Sequence, residues 1–382
     1  MDGLEQFAQG ALTYGLPFLV VLSVVVFVHE FGHFWIARRC GVRVETFSIG
    51  FGHEIFGWND KHGTRWKVAW LPLGGYVKMF GDSDPTSATP DEKVKVMTPA
   101  EKRVAFFFKP VWQRMAIVFA GPASNYLFAI LVLAGLFIAN GQPYTAPVVD
   151  KVLAGSVAEK VGFMTGDRVV RIDDADIASF EDIRRIVSLN VGTPINVAIE
   201  RDGQPMVIAA TPEVVPMVDR FGGEHKLGRL GFSSSTMSYR ELSVMAALGQ
   251  SVIQTWNLTT STLQSVGQMI MGMRGTEELG GPLRIAEMSG NVAKEGISPL
   301  IWLMAVISIN LGLINLFPIP LLDGGHLLFY LAEALRGKPL SERMQENSAK
   351  VGAALVLSLM VFATWNDLMH LGVITFIKGI FS

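Results

Sequence analysis

The chain has 382 residues, is 50% hydrophobic and carries a formal net charge of -2. Its mean hydropathy of +0.36 is too high for an ordinary soluble protein, and the balanced charge argues against a nucleic-acid binder. A single cysteine, Cys40, rules out an internal disulfide and is read as a packed or interfacial thiol. The opening residues Met1 to Glu5 are acidic where a secretory signal is basic, so no cleaved signal is expected.

A bilayer core takes about 20 apolar residues as a helix. Four segments of that kind are predicted, at about Tyr14–Ala37, Met115–Ile138, Pro299–Leu322 and Val351–Val373. The first contains His29-Glu30-Phe31-Gly32-His33. Positions four apart share a helix face, so His29 and His33 can grip one metal ion, with Glu30 placed to take a proton from a water on it. Packed core histidines are the plain alternative. Burying three ionisable groups at membrane depth is costly, however, and that favours a metal site.

After the first span, Thr64 to Met79 reads as two short strands around the Gly74-Gly75 turn, with aromatics suited to a membrane interface. It is either a peripheral hairpin or one dipping in beside the metal. Asp82 to Pro99 is polar and proline-rich and reads as a mobile loop. Arg103 to Lys109 reads as an amphipathic surface helix with Phe106, Phe107 and Phe108 in lipid.

Residues 146–212 read as a small α/β module. Strand-like runs fall at Val148-Val149, Val169–Ile172 and Ile195–Glu200, helix at Phe180–Ser188, and a hairpin turn at Arg201–Gln204. Leu242 to Met273 is apolar but studded with Gln250, Gln254, Asn257 and Thr259, and reads as amphipathic helices on the membrane or against the protein.

A catalytic zinc takes three protein ligands and one open position. Asp323 ends the third apolar run just after Pro318 and Pro320, at a depth like that of the two histidines, and is the candidate third ligand. A helix N-cap is its plain role, and His326 is the rival ligand, better suited to supporting one. Asn315 either bonds between helices or holds substrate backbone, and both readings stay open. His53, His62, His225 and His370 read as ordinary histidines. Lys and Arg cluster at Arg38-Arg39, at Lys102–Arg114 and at Arg336–Lys350. By the positive-inside rule these lie in the cytoplasm, which puts the N-terminus outside and the metal toward the cytoplasmic side of an inner membrane.

These residues resemble the site-2 protease family of intramembrane metalloproteases. His29–His33 is similar to the family's metal motif, and Asn315–Gly325, ending Leu322-Asp323-Gly324, is similar to its second motif. Gly121-Pro122-Ala123-Ser124-Asn125 and Gly281-Pro282 also look like family features. Gly155–Phe163 with Gly166–Val169 resembles the PDZ pattern. Room for one such module places the chain in the single-PDZ branch.

The resemblance implies Zn2+ held by His29, His33 and Asp323, with Glu30 as base. The hairpin's Trp70, Leu71, Gly74 and Gly75, with Asn315, would hold the substrate. The implied substrates are single-span membrane proteins already trimmed outside, such as anti-sigma factors, or leftover signal peptides. The expected fold is a polytopic α-helical membrane protein with about four transmembrane helices, a membrane-associated β-hairpin on the cytoplasmic side and one extracytoplasmic PDZ-like domain. The expected divisions are 1–140, 141–235, 236–297 and 298–382. Trimmed substrate or a peptide C-terminus would bind the PDZ-like domain. A metal transporter, or a PDZ scaffold with structural zinc, is the competing class.

Overall fold

The computed structural model describes residues 10–81, 97–218, 224–275 and 280–370. Most of the expected Asp82–Pro99 loop, at 82–96, and the side chains of His225 and His370 lie outside the described residues.

In chain order the principal elements are α1 (Leu16–Arg39), β1 (Val44–Asn59), β2 (Arg65–Met79), α2 (Val111–Asn140), β3 (Arg168–Ile172), β4 (Ala175–Asp176), α3 (Phe180–Leu189), β5 (Ile195–Arg201), β6 (Gln204–Ala210), β7 (Glu213–Val218) and β8 (Glu224–Arg229). Then follow α4 (Val244–Ile270), α5 (Pro282–Glu295), α6 (Ile297–Asn315), α7 (Asp323–Arg336) and α8 (Glu342–His370). Two compact units result: Met1–Ala134 with Leu248–Ser382, and Gly135–Ala247.

Among the described residues, four helices are long and apolar enough to cross a membrane: Leu12–Arg39, Val111–Asn140, Ile297–Asn315 and Arg343–Met369. The third stops at Asn315, seven residues short of the predicted Leu322, because Pro318 and Pro320 cannot continue a helix. The helices approach closely through glycines, as small residues allow in membrane proteins. A Cβ at Gly32 would fall on the Ala120 carbonyl and the Ser124 hydroxyl of α2, and one at Gly312 would lie 3.1 Å from the Pro122 carbonyl.

The first unit contains a sheet that sequence patterning missed in part. The turn-rich stretch Val44–Asn59 is a 16-residue strand, broken by register shifts. Residues 46–49 pair on one side with 75–78 and on the other with 65–68, and 54–59 pair with 65–69. The two halves of β2 therefore flank β1 rather than facing each other across Gly74-Gly75. Gly74, at φ 121°, lets the strand turn between them, since a residue with a Cβ is strained there. Phe47 stacks on Trp66 at 4.3 Å and meets Phe34 of α1 edge-on at 5.5 Å, which ties the sheet to the first span.

Two further expectations change. Phe106 is fully buried, edge-on to Tyr330 of α7, and only Phe108 is exposed; the helix there is Pro99–Val104, capped by Thr98. The Leu242–Met273 stretch forms one helix, α4, with its polar side inward. Ser251, Thr255 and Thr259 are buried while Val252, Ile253 and Trp256 are exposed. Thr259 bonds the Tyr126 hydroxyl of α2 at 3.4 Å, and Thr262 donates to Asn310 of α6 at 3.0 Å. Packing the Thr259 and Thr262 hydroxyls against α2 and α6 gives them partners where water is scarce.

Helix α5 ties span ends together. Lys294 bonds the Tyr14 hydroxyl near the start of α1 at 3.0 Å. Asp367 of α8, 1% exposed, accepts from the backbone amides of Gly281, Leu283 and Arg284 at the start of α5. Those amides have no partner within the helix, so a carboxylate there satisfies them and meets the positive end of the helix dipole.

The second unit is a four-stranded antiparallel sheet in the order β4-β3-β5-β6, with α3 packed on its core. The β5–β6 hairpin turns at Asp202 and Gly203, both with positive φ, as a two-residue hairpin loop requires. Beneath it, Asp167 is 1% exposed and takes Arg201 in a two-point pair at 2.7 and 2.8 Å plus the Met164 amide at 2.8 Å. Burial pushes this carboxyl up, but the Arg201 and Met164 bonds outweigh it and hold the carboxyl below its usual value.

A group whose folded pKa is lowered contributes stability above its unfolded pKa, about 3.9, and loses it as pH falls through the folded value. Asp167→Asn is therefore expected to destabilise this unit by about 3 kcal/mol at neutral pH, where it breaks a buried pair. The deficit should shrink below about pH 4. Amide exchange of β3 and β5 in the full chain measures it, and a deficit that stays constant on acidification would remove the ion pair as its cause.

Candidate metal centre

The metal motif falls in the second half of α1, where His29 and His33 are 7% and 9% exposed. Each ring is held from α2. His33 Nδ1 lies 2.9 Å from the Ile117 carbonyl. A carbonyl only accepts, so Nδ1 carries the proton and Nε2 presents its lone pair. His29 Nδ1 lies 3.2 Å from the Asn125 side-chain amide. The two Nε2 atoms then face each other at 3.2 Å.

Asp323 reaches the same point from α7. The chain leaves α6 through Pro318-Ile319-Pro320, and Leu321 takes a φ of 82°. That conformation is rare for a branched side chain, and strain of this kind persists where surrounding structure imposes it. Asp323 becomes the first residue of α7, with Leu322 at the cap position, so its carboxylate is not the N-cap. Gly324 and Gly325 permit the tight return, because a Cβ on either would strike backbone carbonyls of 316, 317 or 319. Asp323 Oδ2 lies 3.2 Å from His29 Nε2 and 3.6 Å from His33 Nε2.

Zinc bound by nitrogen and oxygen at about 2.0–2.1 Å in a tetrahedron sets its ligand atoms roughly 3.3 Å apart. The three separations here, 3.2, 3.2 and 3.6 Å, fit that spacing. Asp323 Oδ2 is also buried without a hydrogen-bond partner among the described residues, the condition of an atom shaped for a cation. Among the described residues, His29, His33 and Asp323 form the one His/Cys/Asp/Glu group close enough to hold a metal ion.

The group borders a cavity of about 300 Å³ that Glu30 also lines. Gly74, Gly75 and Asn315 line it, and the Asn315 amide lies 3.5 Å from His29 Nε2. Trp70 and Leu71 do not. They are 75% and 43% exposed, on the arm of β2 before its turn at Gly74. Phe51, Tyr76, His326 and Tyr330 also line it, and of these four the sequence had pointed to His326 alone. Tyr330 is held by the Arg114 guanidinium 4.8 Å from its ring, and Arg114 pairs with Glu333.

Residues 17–359 match Peptidase family M50. The chain belongs to that family. Metalloprotease MmpA of Caulobacter vibrioides is 38% identical over 98% of this chain and 100% of its own length. Two relatives carried under zinc metalloprotease names, from Rhizobium meliloti and Agrobacterium fabrum, are 42% and 43% identical over 94% and 95% of this chain and 97% and 98% of their own. This M50 peptidase is thus a zinc metalloendopeptidase with four membrane-spanning candidates. The crystal structure of a PDZ domain of an SdrC-like protein from Listeria monocytogenes covers 24% of this chain and 90% of its own at 16% identity and a TM-score of 0.19.

Proposed function

We propose that this M50 peptidase cuts transmembrane segments of single-span membrane proteins, with His29, His33 and Asp323 holding zinc and Glu30 as the base. The observation that carries the reading is the meeting of three ligand-type atoms with Glu30 around a cavity bounded by membrane-spanning helices and a sheet edge. When bound, zinc supplies Lewis acidity, polarising a carbonyl and lowering a water's pKa to about 7. Glu30 takes the water's proton on its carboxylate and later delivers it to the leaving amine.

A helical peptide bond is shielded by its own hydrogen bonds, so the substrate unwinds first. Residues 75–79 pair with β1, and Gly75, Tyr76, Val77 and Met79 line the cavity, where an unwound segment can add as a strand. Asn315 then holds its backbone. The positive clusters support a cytoplasmic setting for this side. Residues 141–235 act as the PDZ-like module. Its apolar groove of about 440 Å³ beside α3, floored by Ile183, Val187 and Phe232 with Arg184 and Arg229 at hand, suits the new C-terminus of a trimmed substrate.

The test is reconstitution in liposomes with single-span substrates, intact or trimmed outside, and mass analysis of products. Cuts inside the span, faster for the trimmed form, are expected. Zinc-loaded protein that cleaves no span but passes metal across the bilayer would replace this reading with a transporter.

A further inference from the structure

The geometry points to Asn125 as a positioning residue: its amide oxygen holds the Nδ1 proton of His29, and so fixes the tautomer that offers Nε2 to the zinc. The inference rests on the ligand reading above.

Its basis is a conflict inside the site. The Asn125 amide nitrogen stands 3.2 Å from His29 Nδ1, while Oδ1 is buried without a hydrogen-bond partner among the described residues. An amide nitrogen only donates, so this arrangement makes Nδ1 the acceptor and puts the ring proton on Nε2. That proton would point at His33 Nε2 and Asp323, 3.2 Å away from each, and would block ligation. A half-turn of the amide about χ2 exchanges its nitrogen and oxygen. Oδ1 then accepts from Nδ1–H, the orphaned acceptor is satisfied, and Nε2 presents its lone pair. His33 already has this arrangement, because the Ile117 carbonyl can only accept. Both rings would then be oriented through Nδ1 by α2, one by backbone and one by a side chain.

Asn125 is itself fixed. It is fully buried, and Ser308 of α6 donates to its backbone carbonyl at 3.0 Å. The three helices α1, α2 and α6 thus meet at one residue. Groups that hold the outer nitrogen of a ligating histidine typically change metal affinity 10–100-fold when removed.

The test measures zinc affinity by chelator competition in the detergent-solubilised full chain, comparing wild type with Asn125→Leu, Asn125→Asp and His29→Ala. Leucine keeps the volume and removes the acceptor, so its zinc Kd is expected to rise about 10–100-fold. Aspartate can only accept, so Asn125→Asp should bind zinc at least as tightly as wild type. A tenfold or greater loss in Asn125→Asp would overturn the proposal even where the leucine variant fails to fold, because it would mean that His29 needs a donor. Wild-type affinity in Asn125→Leu would overturn it as well. If His29→Ala keeps wild-type affinity, the ligand reading falls and takes the proposal with it. If His29→Ala loses zinc while Asn125→Leu does not, the positioning role alone is overturned.

Discussion

Replacing Glu30 with glutamine is expected to leave zinc in place and to stop cleavage. Glutamine matches glutamate in size and removes only the ability to accept and return a proton. Glu30 adjoins His29 in sequence, lines the cavity and has the Val77 backbone within hydrogen-bonding reach. The sheet edge that would receive substrate thus also holds the base. General acid–base groups contribute roughly 10²–10⁴-fold. With Glu30 proposed for both proton transfers, a loss at or above the upper end is expected. Zinc per chain by mass spectrometry and cleavage rate of a single-span substrate are measured side by side. A variant that keeps zinc and cleaves within about tenfold of wild type would assign the proton to another group.

The second large effect needs no change to a ligand or base. A Cβ at Gly121 would fall on Nε2 and Cε1 of His33 and within 2.9 Å of His29 Cε1. Gly121→Ala therefore pushes a methyl into the space where the two rings converge. Small residues let membrane helices approach closely, and this one leaves room for imidazoles rather than for backbone. Zinc affinity should drop by about 100-fold or more, beyond the usual cost of losing an outer partner of a ligand, and cleavage should fall to background. Gly135→Ala on the same helix is the control. Nothing lies within 4 Å of its Cβ, and alanine suits a helix better by roughly 1 kcal/mol. Wild-type zinc binding in Gly121→Ala would show that the rings yield and that their placement is not fixed by α2.

What the sequence disclosed and what it hid divide along a physical line. The four spans and the His29–His33 spacing are local patterns, readable from hydropathy and helix period. Asp323 was legible because a carboxylate after two prolines at the end of an apolar run is expensive without a role. The Val44–Asn59 strand was not, because its register shifts break the two-residue alternation that marks a strand. The packing of α4 was legible only as a choice between the membrane and the protein. Hydroxyls and amides on an apolar helix signal a wet face in a soluble setting, whereas Thr259 and Thr262 face other helices. Trp70 and Leu71 were named with Gly74 and Gly75 as one hairpin through the family resemblance, yet the turn at Gly74 decides which part of β2 meets the cavity. The contacts of His29 with Asn125 and of His33 with Ile117 join residues 96 and 84 positions apart, and no local pattern carries them.

The bond between Asp367 and the start of α5 also constrains the order in which the molecule can be made. The amides of Gly281, Leu283 and Arg284 leave the ribosome some 80 residues before the carboxylate that satisfies them. Until the last span is inserted, that helix end has no acceptor from the protein. Domains generally form from the N-terminus during synthesis, and unmet backbone donors are costly in lipid. The membrane unit therefore completes this contact only after its last helix has been made. Its final helix works as a latch, and a chain cut short within that helix would leave an assembly open at the start of α5.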